Sequence, residues 1–133
     1  MNALRLEGLQ KRFGAKEVLW GVALTVPERT VYGFLGQNGA GKTTTLKLIL
    51  GLLVPDAGRI EVFGRPAVYG HTHRALGYLP DVPSFYDYMT SMEYLRLCGE
   101  AAGLPGPKIR GNSRALLEMV GLDKEKGRIH GFS

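Results

Sequence analysis

The sequence has 133 residues, 17 Lys and Arg against 12 Asp and Glu, a net charge of +5, 19 glycines and a single cysteine. That is the length of one modest domain, no apolar run approaches the roughly 18 residues of a membrane span, and one cysteine excludes an internal disulfide. The basic residues are scattered and form no stripe, so the charge points to an anionic ligand or an acidic partner surface, and no nucleic-acid binding is expected.

The chain opens with a polar/apolar alternation over residues 3–13, with Leu4, Leu6 and Leu9 set against Arg5 and Glu7. This predicts a first strand, and Arg5 and Glu7 break any secretory apolar core. Phe13-Gly14 makes a turn. Val18 to Val26 alternates again, with Val22, Leu24 and Val26 on one face, and Pro27-Glu28 turns the chain once more. The two strands lie too close together for a helix between them, so they are expected to be antiparallel. Thr30-Val31-Tyr32-Gly33-Phe34-Leu35, rich in β-branched and aromatic residues, reads as a short buried strand.

Gly36-Gln37-Asn38-Gly39-Ala40-Gly41-Lys42-Thr43 follows, with the spacing G-x-x-x-x-G-K-T of a phosphate-binding loop. Gly36, Gly39 and Gly41 let the backbone curl without β-carbon clashes. The curl turns successive N–H groups inward, and the helix read from Lys42 to Leu50 aims its positive end at the same point. Gly36, Asn38, Gly39, Ala40 and Gly41 would cradle a phosphate by their backbone. Lys42 would reach the outer phosphates, Thr43 would ligate Mg²⁺ and Thr44 would add a phosphate contact. Gly51 ends the helix.

Val54-Pro55-Asp56-Ala57-Gly58 reads as a turn and Arg59 to Phe63 as a short alternating strand. A short helix is expected over His71 to Ala75, and a buried strand over Ala75-Leu76-Gly77-Tyr78-Leu79, ending at Pro80. His71 and His73 have no cysteine or acidic cluster beside them and read as surface residues, not a metal pair. From Ser91 the pattern is helical: Met92, Leu95, Leu97 and Cys98 recur at helical spacing. Ser91 is the expected N-cap, Gly103 the stop, and Cys98 is expected buried and inert. Pro105 and Pro107 punctuate a linker. A second helix is read over Ser113 to Val120, closed by Gly121.

These residues, in this order, resemble the N-terminal part of an ABC-type ATPase, the nucleotide-binding subunit of ABC transporters, and the resemblance covers essentially the whole chain. The loop Gly36 to Thr44 matches that family's form of the motif. Lys11-Arg12-Phe13-Gly14 resembles its A-loop, which implies that Phe13 stacks on adenine with Val18 packing beside it, worth about 1 kcal/mol. Leu76-Gly77-Tyr78-Leu79-Pro80-Asp81 resembles the strand entering the Q-loop, where the family carries glutamine. Asp81 is shorter and anionic there, and could accept from a metal-bound water. The text from Asp81 to Thr90 resembles the ABC-2 export branch, whose loop and following helices face a membrane permease. Gly131-Phe132-Ser133 resembles the start of the signature, which places Ser133 in the half-site offered to a partner's ATP.

The resemblance implies an α/β fold: a P-loop NTPase core with an N-terminal antiparallel β subdomain over residues 1–84, and a helical subdomain over 85–133. It implies ATP and Mg²⁺ as ligands, a permease and a homodimer or second ATPase subunit as partners, and a cytoplasmic place at the inner face of the cell membrane. The family's Walker B carboxylates and switch histidine find no match in these residues. The expectation is therefore an incomplete central sheet with an apolar edge open to a second chain, and nucleotide binding without hydrolysis. Three other readings stay open: a non-catalytic binding module, a soluble ABC ATPase with no permease, and a small-molecule kinase using the same loop.

Overall fold

The computed structural model describes residues 1–71 and 73–131. The chain divides into two compact units, Met1–Tyr78 and Leu79–Ser133.

The first unit is an antiparallel sheet of four strands in the order β2-β1-β3-β4 with one helix, α1. The strands are β1 (Asn2–Phe13), β2 (Lys16–Pro27), β3 (Ala57–Val62) and β4 (Arg65–Pro66), and α1 is Lys42–Ile49. The first hairpin is the one read from its alternation, longer at both ends, with Phe13 facing Lys16 across the turn. Strict alternation would put Leu6 and Leu9 on opposite faces. Both are fully buried, because the ladder to β2 shifts register between them and the ladder to β3 shifts between Glu7 and Gln10. An irregularity of this kind re-aims the side chains that follow it. Glycine at residue 58 makes the shift fit: a β-carbon there would stand 2.6 Å from the carbonyl oxygens of Glu7 and Gly8.

Leu6, Leu9, Leu19, Ile60 and Val62 from the sheet meet Leu48 and Ile49 from α1 in the core. Leu4, Val18, Val22, Leu24, Leu53, Ala67 and Leu76 pack around them, half-buried. The sheet buries one face only, as antiparallel sheets commonly do, and Trp20 points away from the core at 77 % exposure.

Two expected strands do not form. Residues 30–37 have no strand partner, and Val31 and Leu35 are almost wholly exposed. The apolar run states a preference for burial, but a strand also needs a neighbour to satisfy its N–H and C=O groups, and no described residue supplies one. The same holds for residues 76–80, where Leu79 is exposed and only Leu76 touches the core. Nor is there a helix at 73–75. His71 bridges to Val68, and Leu76 N–H closes a turn on the His73 carbonyl at 2.9 Å. His71 is exposed, while the His73 ring lies tilted against Phe63, 6.4 Å between centroids.

The second unit holds α2 (Ser91–Ala101) packed on α3 (Gly106–Met119), then one 3₁₀ turn over Ile129–Gly131. The cap of α2 is Thr90, one residue before the expected Ser91. The Thr90 hydroxyl accepts the Glu93 N–H at 3.3 Å, and the Glu93 carboxylate accepts the Thr90 N–H at 2.8 Å. This reciprocal pair is a capping box. The helix α3 begins seven residues before the expected Ser113. Pro107 falls in its first turn, where an N–H would have no helical partner, so the proline that reads as a linker residue is tolerated inside the helix. Gly99 is the point of closest approach, since a β-carbon there would stand 2.7 Å from Ile109 Cγ1. Ile109, Ser113 and Leu117 are the buried stripe of α3. Cys98, expected buried, is exposed. Among the described residues no helix is long and apolar enough to cross a membrane.

Candidate nucleotide-phosphate site

Residues 36–41 curl between the extended segment 30–37 and α1. The Ala40 N–H donates to the Gln37 carbonyl at 3.1 Å, closing a turn, and Gly39 and Gly41 take φ of 85° and 88°. Side chains other than glycine rarely adopt these angles. Gly41 is also the N-cap of α1, and it presses against β2: a β-carbon there would stand 2.5 Å from Leu19 Cδ2 and 3.1 Å from the Val18 carbonyl oxygen. The turn is held from below as well. Thr45, 1 % exposed, donates its hydroxyl to the Gly41 carbonyl at 3.0 Å, and its N–H reaches the same oxygen at 2.8 Å.

Lys42 folds back over the loop. Its ammonium donates to the carbonyl oxygens of Gly36 at 2.5 Å and Gln37 at 2.8 Å. An ammonium held at the mouth of the loop, beside the first turn of a helix whose N–H groups have no intrahelical acceptor, is a positive cradle. Thr43 is exposed and Thr44 half-buried, and neither hydroxyl is bonded to a described residue. The donor set is one charged amine, the loop's N–H groups and two free hydroxyls, which fits a polyphosphate with its divalent cation. Gly36, Asn38, Gly39, Ala40, Gly41, Lys42, Thr43 and Thr44 are thus brought together in one loop and its helix start.

Phe13 and Val18 lie on the two strands of the same hairpin. Phe13 ends β1 and is 48 % exposed, and Val18 on β2 is half-buried next to Gly41. The Lys11 ammonium sits over the Phe13 ring, 5.6 Å from the centroid. Lys11 also pairs with Asp56 Oδ1 at 2.9 Å, and Asp56 Oδ2 accepts the Arg12 N–H at 2.6 Å. The Lys11 hydrogen bond first, then the Arg12 N–H, hold the Asp56 carboxyl below the usual carboxylate range. Neither Asp56 nor Thr45 is singled out by sequence reasoning. Thr45 is hidden in a run of three threonines, and nothing links Asp56 to Arg12 along the chain. Asp81 is exposed on the segment preceding α2, in the other unit. Ser133 lies outside the described residues. Among the described residues no group of three or more His, Cys, Asp or Glu is placed to hold a metal.

The family model described as ABC transporter matches residues 19–133. The chain is 39 % identical over 125 residues to "Nod factor export ATP-binding protein I" of Ralstonia nicotianae, covering 92 % of this chain and 39 % of that protein. It is 33 % identical over 130 residues to "Bacitracin transport ATP-binding protein BcrA" of Bacillus licheniformis, covering 96 % and 42 %. It superposes with a TM-score of 0.81 and 31 % identity on a solved structure titled "Structure of ATP binding subunit of ABC transporter", covering 98 % of this chain and 56 % of that one. The chain therefore spans about two fifths of the length of these curated relatives. A glycine loop capped by Lys42, set on an antiparallel sheet, and a family match that runs through both compact units agree: the chain belongs to the ABC transporter family.

Proposed function

We propose that these residues capture Mg-ATP for an ABC-type ATPase that drives export through a membrane permease. The observation that carries this reading is the Lys42 ammonium held over the Gly36 and Gln37 carbonyls at the start of α1. Gly36, Asn38, Gly39, Ala40 and Gly41 offer backbone N–H groups to the phosphates, Lys42 neutralises the outer ones, and Thr44 adds a hydroxyl. Thr43 takes the Mg²⁺, Phe13 receives the adenine face, and Val18 packs beside it. Bound Mg²⁺ supplies charge neutralisation to the phosphates, and the chain's own residues bind and orient them.

Export is supported by the relative whose name carries it, for Nod factor, and transport by the one named for bacitracin. The partners assigned on that basis are a permease and a second ATPase subunit or second copy, at the cytoplasmic face of the membrane. Asp81 is assigned to a metal-bound water. Hydrolysis needs a group that positions water and a further metal carboxylate. No described residue other than Asp81 is assigned to either task, so the 133-residue stretch is expected to bind without turnover.

The test is titration calorimetry of the 133-residue chain with Mg-ATP, using Lys42→Ala as control. Saturable binding that the substitution abolishes is the expected result. A folded chain that takes up no nucleotide overturns the assignment, and steady phosphate release by the pure chain overturns the statement on turnover.

A further inference from the structure

Beyond Gln10, β1 loses its partner on one side. The last pair on the β3 ladder is Gln10 with Ala57, while β1 continues to Phe13. The residue that takes over is Asp56, just before β3. Its N–H donates to the Gln10 carbonyl at 3.0 Å, its Oδ1 accepts Lys11 Nζ at 2.9 Å, and its Oδ2 accepts the Arg12 N–H at 2.6 Å. One residue thus binds three consecutive residues of β1, directly before Phe13. The Lys11 side chain is only 14 % exposed, so its ammonium is held between the carboxylate and the aromatic ring and does not wander in solvent.

We propose that Asp56 is a positioning residue for the nucleotide base: through the Arg12 N–H and the Lys11 ammonium it fixes the Phe13 ring on which adenine stacks. The inference rests on the reading of Phe13 as the adenine platform. The physical reason is entropic and electrostatic. A half-exposed ring at a strand end loses rotamer freedom when a base is laid on it, and a ring held beforehand loses less. The Lys11 cation over the ring holds it through the ring's electron-rich face, and the Asp56 carboxylate fixes where that cation stands. Phosphate capture uses other residues, so Asp56 affects recognition of the base and not of the phosphates.

The experiment compares two probes, Mg-ATP and Mg-tripolyphosphate, by calorimetry on the 133-residue chain and its Asp56→Ala, Asp56→Asn, Lys11→Met and Phe13→Ala variants. Asp56→Ala and Lys11→Met are expected to weaken Mg-ATP binding about fivefold and tripolyphosphate by less than about twofold. Phe13→Ala is expected to do the same, and Asp56→Asn, which keeps an acceptor for the Arg12 N–H, to fall between Asp56→Ala and the unsubstituted chain. Should Asp56→Ala not fold, Asp56→Asn and Lys11→Met carry the same comparison. Equal weakening of both probes makes Asp56 a merely structural residue and overturns the inference. Phe13→Ala weakening ATP while the Asp56 and Lys11 variants do not overturns it alone. Phe13→Ala without effect on ATP overturns the platform reading, and this inference with it.

Discussion

Gly41 rests on Val18 so closely that its missing side chain is part of the site: a β-carbon would stand 3.1 Å from the Val18 carbonyl oxygen, and 2.5 Å from Leu19 Cδ2. Backbone cannot yield as a flexible side chain can, and the φ of 88° adds strain for any other residue. Gly41→Ala is therefore expected to cost about 1–3 kcal/mol of stability by urea denaturation. It should also lift the loop off β2 and weaken Mg-ATP binding more than any other alanine substitution in residues 36–41. An unchanged midpoint would mean that the loop and β2 are not in contact in solution.

Among the described residues the Lys42 ammonium is bonded only to carbonyls of its own loop, Gly36 and Gln37, both exposed contacts. Exposed contacts of that kind contribute little to folding, whereas the same ammonium on a phosphate makes charge-assisted bonds. Lys42→Met, which keeps the stem, is expected to leave the melting temperature within about 2 °C while lowering the affinity for both Mg-ATP and tripolyphosphate by about 10- to 100-fold. A large loss of stability with unchanged affinity would reverse the assignment.

The core of the first unit is small, and Leu9 is its most enclosed member together with Val62, both at 0 % exposure. Leu9→Ala removes the side chain that joins β1 to α1 in that core, and is expected to cost about 2–5 kcal/mol. In a unit of this size such a loss is a large part of the total stability. Loss of the cooperative urea transition, or a fall of about 1–3 M in its midpoint, is the measurement. A cost below about 1 kcal/mol would show that the site collapses around the missing atoms.

Much of this was legible because local pattern and outcome agree. The hairpin alternation, the glycine loop and the start of α1 at Lys42 each depend on residues near in sequence. Where the outcome depends on a distant partner, the sequence misleads. Val31 to Leu35 has the composition of a core strand, but composition does not say which neighbour will pair with it, and these segments remain single. Cys98 has the helical spacing of a buried position but is exposed. Leu6 and Leu9 share a face only through a register shift, which Gly8 hints at and Gly58 permits. The Asp56 clasp spans 44 residues to Arg12, with no local signal. The true start of α2 was readable: Glu93 stands three residues after Thr90, the spacing of a capping box, whereas Ser91 has no acceptor at that distance.

That capping box carries a pH dependence. The Thr90 N–H, then its hydroxyl, hold the Glu93 carboxyl below its ordinary value of 4.5. A carboxyl depressed in the folded state binds its proton more readily when unfolded. The stability it contributes is therefore complete above the unfolded value and disappears as the pH falls through the lower, folded value. Thr90→Ala, which removes the hydroxyl but not the N–H, is expected to cost about 1 kcal/mol at pH 7. Glu93→Gln keeps an acceptor for the Thr90 N–H and removes the charge. Its melting temperature is expected to lie below that of the unsubstituted chain at pH 6–7, and the two should converge as the pH falls below about 4. The check is the helical circular dichroism signal followed on heating at each pH. A gap between the two chains that is constant from pH 7 to pH 3 would mean that the Glu93 charge takes no part in holding the start of α2.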